Sequence, residues 1–484
     1  MISTVQTLEL HPDRFLGSQE NSVAIARRLY AETQKLPIIS PHGHTDPSWF
    51  AENKPFENPS ELLLTPDHYI FRLLYSQGVS LQELGIRGIG AEGSDQTDVT
   101  DPIAAWRLFA KHYHMFLGTP SRIWLDHVFS TVFGLNKVLN EITADYYYFH
   151  ILSALQTPTF LPRALLDRFK IETIATTEGA LDSLSSHRKL HEDGLGQRVI
   201  TTFRPDDVVD PDREDFDKNL EQLAELTGED TNSWQGYLAA LQQRREYFAK
   251  LGATATDHGH PSALTADLDK QQCQQLLDKC SQGSADAQEH ELFRAQMLTE
   301  MAAMSIEDGL VMQLHPGSFR NHNSALFKTF GRDKGADIPL AIEYVRALKP
   351  LLDKFGNSNS LSLILFTLDE STYARELAPL AGHYPAVKLG PAWWFHDSPE
   401  GMLRYRQQVT ETAGFYNTVG FNDDTRALLS IPARHDLARR IDAQFLAEWV
   451  AQHRLQEDQA LDIAVDLAYQ IPKQAYRLGK TKKR

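Results

Sequence analysis

The sequence predicts a (β/α)8 barrel of the TIM type that carries helical insertions, and three observations carry that expectation. Short apolar, β-branched runs recur at eight places along the 484 residues. Helix-period segments separate most of them, as parallel βαβ units require. Several runs end in polar or reactive residues, and in this barrel class the active site is built at the carboxyl ends of the strands. An open doubly wound sheet would gather its functional residues at one switch point, and no Gly-rich phosphate loop follows the first run.

The runs follow in order. Leu36–Ser40 leads to His42-Gly43-His44, Ile171–Thr177 ends at Glu178, and Arg198–Phe203 ends in Arg204-Pro205-Asp206. Gly252–Thr256 runs into Asp257-His258-Gly259, Leu310–Leu314 into His315, and Leu361–Leu368 into Asp369. Ala386–Leu389 precedes Trp393-Trp394-Phe395, and Phe415–Phe421 precedes Asn422-Asp423-Asp424. Between them, an apolar stripe of Leu340, Ile342, Val345, Leu348, Leu351 and Leu352 predicts a helix over Asp337–Phe355; Gly401–Thr412 reads the same way. A helix over Ser22–Gln34 precedes the first strand and is placed to close the barrel bottom.

The uneven spacing locates the insertions. The gap from Ser40 to Ile171 far exceeds one crossover helix. Residues 49–163 therefore read as a helical insertion over the barrel mouth. Helical periodicity appears in Asp67–Leu74 and Ile103–Ala110, and the pattern breaks over Arg87–Asp101. Residues 216–251 form a smaller helical insertion after the third strand, and Leu264–Ser305 supplies two helices before the fifth. The whole chain, 1–484, reads as a single barrel domain without internal repeats.

Composition bounds the function. At 42% hydrophobic and 23% charged residues, the chain matches an ordinary soluble globular protein. No apolar run approaches the roughly 18 residues of a membrane span. Met1–Leu10 has no basic start followed by an apolar core, so a cytoplasmic protein is expected. A net charge of −16 argues against nucleic-acid or membrane-surface partners, yet leaves room for a small anion held by one or two arginines. The basic tail Lys480–Arg484 reads as a solvated terminus. Cys273 and Cys280 can supply neither a disulfide framework nor a Cys-rich zinc site.

Side chains two apart on a strand share a face, so His42 and His44 can converge on one ion. In a closed barrel the last strand neighbours the first, which brings Asp424 opposite them. Two imidazoles and one carboxylate with open positions make a mononuclear site that suits zinc. Locally, Asp424 also fits a helix N-cap in Asn422-Asp423-Asp424-Thr425. His315 reads as a further ligand, a substrate contact or a plain polar residue at the barrel mouth. A binuclear hydrolase would usually add a lysine at strand four and a histidine at strand six. Those positions hold Asp257-His258 and Asp369, so a binuclear centre is not expected.

Further motifs lie in the same order along the chain: Asp67-His68-Tyr69, Gln313-Leu314-His315-Pro316-Gly317 and Arg320-Asn321-His322-Asn323. Trp393-Trp394-Phe395-His396-Asp397, Gly401-Met402, Asp424-Thr425-Arg426 and Arg434-His435 continue the series. With the His42-Gly43-His44, Phe203–Asp206 and Asp257–Gly259 stretches, the chain resembles the uronate (glucuronate) isomerase family of the amidohydrolase superfamily. The resemblance runs from about Leu36 to Tyr476. It implies aldose–ketose isomerisation of D-glucuronate to D-fructuronate and of D-galacturonate to D-tagaturonate, through an enediol.

Residue by residue, the resemblance implies one divalent metal, zinc by ligand type, on His42, His44 and Asp424. Tyr69, with His68 beside it, matches the proton shuttle, and Asp424 and His42 belong to the catalytic group. Arg204 and Arg426 match substrate-anchoring arginines, and a planar guanidinium fork suits a uronate carboxylate. His315 and one of Trp393 and Trp394 are expected to line the pocket, since adjacent residues on a strand face opposite ways. The chain departs from the family pattern at Gly43, where cysteine is common, at Thr45, and in the run after His315. Two other readings remain at this point. One is a mononuclear metal-dependent hydrolase on the same barrel; the other is a sugar-acid-binding barrel without catalysis. The implied partner is a small hexuronate, and the helical insertions would also serve a homo-oligomer.

Overall fold

Aliphatic and β-branched residues form short strands that are buried along nearly their whole length, as in a parallel sheet covered by helices. The computed structural model describes residues 6–89 and 101–479, so most of the Arg87–Asp101 break and the basic tail lie outside the described residues. In chain order the strands are β1 (Ile38–Ser40), β2 (Ile171–Gly179), β3 (Val199–Arg204), β4 (Ala255–His258) and β5 (Val311–Leu314). They continue with β6 (Ser318–Phe319), β7 (Ile338–Pro339), β8 (Leu363–Leu365) and β9 (Val387–Leu389). Seven of them pair in the order β1-β2-β3-β4-β5-β8-β9, all in parallel. Helices surround this curled sheet, and the fold is a (β/α)8 barrel.

The expected eighth strand is reduced to a single bridge between Leu389 and Thr418. There the Leu389 N–H donates to Asn417 O (2.9 Å) and the Val419 N–H donates to Leu389 O (3.0 Å). On the other side, the His44 N–H donates to Thr425 O at 3.0 Å, so the segment still joins the two edges of the sheet. Gly420 explains the loss of regular pairing. Its φ is +74°, and a Cβ there would lie 2.5 Å from Leu467 O, so the chain turns away where a strand would continue.

Two other expectations are corrected. The helix expected over Asp337–Phe355 covers only Lys349–Phe355. Ile338–Pro339 instead pairs with β6 as an antiparallel ribbon, and Leu340 and Val345 are exposed rather than buried on a stripe. The N-terminal helix, Glu20–Thr33, does not close the barrel bottom. Its Ile25, Ala26 and Leu29 pack with Phe445 and Leu446 of the helix Ile431–Ala451. The barrel interior is filled from the C-terminal end of the chain. Tyr476 joins Ile39, Ala175, Ile200, Val311, Ile364 and Val419 in the inner core, and its hydroxyl donates to Gln313 Oε1 at 3.0 Å.

Between β1 and β2, the described residues form seven short α-helices, from Pro47–Glu52 to Pro162–Arg168. Local chemistry starts most of them. Asp46, Asn58, Asp67, Asp101 and Thr119 each accept a backbone N–H in the first turn, and a proline follows all but Asp67. Such a cap contributes about 1 kcal/mol, and proline at the first position costs no hydrogen bond. These helices share an aromatic core, including Trp106, Phe109, Tyr113, Phe129 and Tyr147, that continues into Ile38, Ile171 and Ile174 of the barrel. Helices Phe216–Thr227 and Trp234–Lys250 follow β3, and Lys270–Ser281 and Ala287–Asp308, each with a capping box, precede β5. Cys273 and Cys280 are buried and unpaired.

Candidate active site

Each residue given a metal, catalytic or substrate role from the sequence lines one cavity of about 340 Å³ at the carboxyl ends of the strands. That is the size class of small-molecule sites. β1 ends at Ser40, so His42, in a bend, and His44 lie in the irregular chain just beyond it. Their rings meet edge to face at 5.2 Å. Asp424 reaches them from the opposite edge: its Oδ1 lies 3.0 Å from His44 Nε2 and 3.5 Å from His42 Nε2. Asp424 caps no helix. It sits at φ +38°, a costly conformation for a non-glycine residue that is typical of functional positions.

His42, His315 and Asp424 each offer a ligand atom, and these atoms lie within 4.8 Å of one another. His44 stands beside this group against Asp424 rather than within it, so His315 joins the ligand candidates. Two features fit the group to a cation: His315 Nε2 is buried without a hydrogen-bond partner, and Asp424 Oδ1 faces the imidazoles of both His42 and His44. Burial pushes His42 down to about 4, which keeps its imidazole neutral and ligand-competent. Burial would raise Asp424, but the flanking His42 and His44 outweigh it and hold the carboxyl well below its usual range.

His315 is fixed from several sides. Its Nδ1 lies 2.6 Å from Asp257 Oδ1, and its ring stacks on Phe366 at 3.8 Å and on His42 at 4.9 Å. Such a carboxylate partner sets which ring nitrogen faces an ion. Asp257 also binds Arg204, whose Nη1 is 3.2 Å from Asp257 Oδ2 and whose Nε donates to Asp206 Oδ2 at 2.7 Å. Burial opposes the Asp257 charge, but Arg204 and His315 outweigh it and hold the carboxyl well below the usual range. Arg204 is thus locked between two acids.

The insertion supplies the facing wall. Asp67 Oδ1 accepts the Tyr69 N–H at 2.9 Å, which starts the helix His68–Ser76 and turns His68 and Tyr69 toward the cavity. Their rings stack at 4.8 Å. Burial, aided by Arg426, pushes His68 down to about 3. Burial and the nearby Asp397 push the Tyr69 phenol well above its usual value, so it stays protonated. The Tyr69 hydroxyl is 3.5 Å from Asp397 Oδ2, which also accepts from Arg434 Nη1 at 2.9 Å. The Arg434 guanidinium in turn lies 3.5 Å over the Trp124 ring.

Arg426 is 40% exposed at its side chain and has one ion pair, Nη2 to Asp333 Oδ2 at 3.1 Å. Trp393 and Trp394 follow β9 in irregular chain, and both line the cavity, against the expectation of one. Strand alternation does not apply beyond the strand end. Trp393 is buried edge-on to His315 at 4.6 Å, and Trp394 lies under the Arg320 guanidinium at 5.0 Å. Asp369 is not part of this wall; it accepts the backbone N–H groups of Ser371 and Thr372 in a turn.

Several residues in or beside the cavity were not assigned a role from sequence. Asp257 and Glu178 had a signal, since each ends a strand. Burial pushes the Glu178 carboxyl up to about 8, and the Thr201 hydroxyl donates to it. Asp397 and Arg434 belong to quoted motifs, but nothing in a single chain ties them to Tyr69. Asp333 carried no signal.

The comparisons follow from this geometry. The family model described as glucuronate isomerase matches residues 9–476. A uronate isomerase of Xanthomonas axonopodis pv. citri is 63% identical over 471 residues, covering 97% of this chain and 99% of that protein. The crystal structure of glucuronate isomerase from Caulobacter crescentus superposes with a TM-score of 0.95 at 57% identity, over 99% of both chains. That of uronate isomerase from Thermotoga maritima gives 0.89 at 29% identity, over 97% of this chain and 100% of the other.

Proposed function

We propose that this chain, which belongs to the glucuronate isomerase family, interconverts aldose and ketose hexuronates in this cavity. The pairs are D-glucuronate with D-fructuronate and D-galacturonate with D-tagaturonate, through an enediol. One observation carries the reading. A singly paired, half-exposed arginine, an uncharged tyrosine and a His/Asp metal-type group all line the same small cavity.

The reaction moves one proton from C2 to C1 and another from O2 to O1. Arg426 takes the substrate carboxylate in exchange for Asp333, and Arg204 adds positive potential on the opposite side. The sugar lies against Trp393 and Trp394. Tyr69 moves the carbon-bound proton by giving its own hydroxyl proton to Asp397, 3.5 Å away, as it takes the proton from C2, and by reversing this at C1, with neutral His68 stacked beside it. Asp424, ionised and positioned by His42, handles the hydroxyl proton. His42, His315 and Asp424, with His44 beside them, would hold one divalent metal, zinc by donor type, which polarises the substrate oxygens when bound. Asp397, pinned by Arg434, holds the Tyr69 hydroxyl in place.

In this reading the chain works as one barrel domain, with 49–163 and 216–251 as insertions, and the insertions offer surfaces for self-association. The setting is the cytoplasm and the partner a small sugar acid, not nucleic acid or a membrane surface. A net charge of −16 supports this, as does the finding that, among the described residues, no helix is long and apolar enough to cross a membrane. The test is direct: incubate the metal-supplied protein with D-glucuronate or D-galacturonate and follow the sugar carbons by NMR. Ketose formation is expected; no ketose from either sugar would refute the proposal.

A further inference from the structure

We propose a second divalent-metal site, separate from the His42, His315 and Asp424 group, formed by Asp206, His258 and His260 where β3 and β4 meet the helical layer. One ligand atom from each of the three lies within 4.8 Å of the others. The two imidazole rings stand 6.1 Å apart at 82°, so they do not stack on one another.

The unmet hydrogen-bonding capacity points the same way. His258 Nδ1 and His260 Nε2 are both buried without a partner, on side chains of residues only 0% and 4% exposed. Unpaired ring nitrogens in the interior are costly, and two of them in one place call for a shared partner. His258 Nε2 meets the Thr256 hydroxyl at 3.0 Å. When that nitrogen donates to the hydroxyl, Nδ1 presents its lone pair, as a metal ligand must.

Asp206 supplies the charge. Its carboxylate accepts Arg204 Nε at 2.7 Å and the Gly259 N–H at 3.2 Å, which leaves lone pairs free for an ion. Around His260, Asp210 and Glu291 offset the positive charge of Arg294. Gly259 keeps the approach open: a Cβ there would stand 2.1 Å from Arg204 Nη2 and 2.9 Å from Asp206 Oδ2. His258-Gly259-His260 thus repeats the His-Gly-His pattern of residues 42–44. Asp206 and Gly259 also line the main cavity, which gives an ion a route in. Two imidazoles and one carboxylate select a borderline-soft divalent ion such as zinc. A bound ion would tie the ends of β3 and β4 together beside Arg204.

Metal content of the full chain, stripped with chelator, reloaded with zinc and freed of loose ion by gel filtration, tests the site. The proposal expects two zinc ions per chain, and one in His260→Asn. A single ion in the unmutated chain, or two in His260→Asn, overturns it. Should the variant fail to fold, cobalt(II) titration of the unmutated apo-chain decides by visible absorption. Spectral change must continue through a second equivalent; saturation at the first overturns the site.

Discussion

The barrel wall of the cavity and the wall supplied by the insertion hold their side chains by different means. On the barrel side, Asp257, Arg204 and His315 stand at or just beyond strand ends with Asp257 paired to both of the others, Asp424 pairs with His44, and both carboxylates are kept ionised. On the insertion side, a helix start fixes His68 and Tyr69, and burial keeps both uncharged. The difference teaches a division of labour. Fixed charge and the candidate ligand atoms come from the barrel strand ends, while the proposed proton-carrying tyrosine comes from a capped helix that can be altered alone.

The largest effect should come from breaking the barrel wall. Asp424→Asn removes a proposed ligand and the charge opposite two histidines, so turnover should fall on the order of a thousandfold or more, with loss of bound metal. Activity and metal content measured on one preparation check this. Breaking the insertion wall should be milder and chemically distinct. Tyr69→Phe should lower kcat about 100- to 1,000-fold and leave metal content unchanged. Asp397→Asn should give about tenfold of that loss through Tyr69, and no further loss once Tyr69 is already Phe, as a double-mutant cycle would read.

The two arginines sharpen the comparison further. Arg426→Met should reduce kcat/KM about 10- to 100-fold, mainly through KM, because a charge-assisted pair to the carboxylate is lost. Asp333→Asn should shift KM the other way, since it frees Arg426 of its competitor. The smallest effect concerns stability. The folded Glu178 carboxyl is raised from 4.5 to about 8, so the native state binds the extra proton in that interval. Its contribution is present below pH 4.5 and lost as pH rises toward about 8. Asp257 has the opposite sign: its stabilisation is present above the ordinary value of 3.8 and lost as acid is added. Urea denaturation across this range should show a downward slope that Glu178→Gln flattens; an unchanged slope would contradict the assignment.

Much of this was legible in the sequence because it rests on local signals. Ile171–Thr177 and Arg198–Phe203 are β-branched runs, and they became the best-paired strands, β2 and β3. The helix near Asp67–Leu74 and the proximity of Asp424 to His42 and His44 also followed, from periodicity and from barrel closure. What failed depended on packing between distant segments. The apolar residues of 337–348 resemble a helix stripe, yet Ile338 and Pro339 pair with β6 across the intervening helix Ser324–Phe330. Tyr476 fills the barrel although nothing near it marks a core residue, and Gly420 broke the last strand because another backbone passes close by. His315 stands open between ligand, substrate contact and plain polar residue until the fold sets it beside His42 and Asp424, and Arg434 holding Asp397 against Tyr69 is a contact between segments far apart in sequence that no single-chain pattern encodes.

The measurement that bears most directly on the division of labour is proton transfer by Tyr69→Phe at full metal occupancy. In deuterated water with D-glucuronate, the unmutated chain should form ketose, while the metal-replete variant should show almost none on the same timescale. A variant that keeps its metal and forms ketose at the unmutated rate would place the proton-carrying group on the barrel wall and contradict the account.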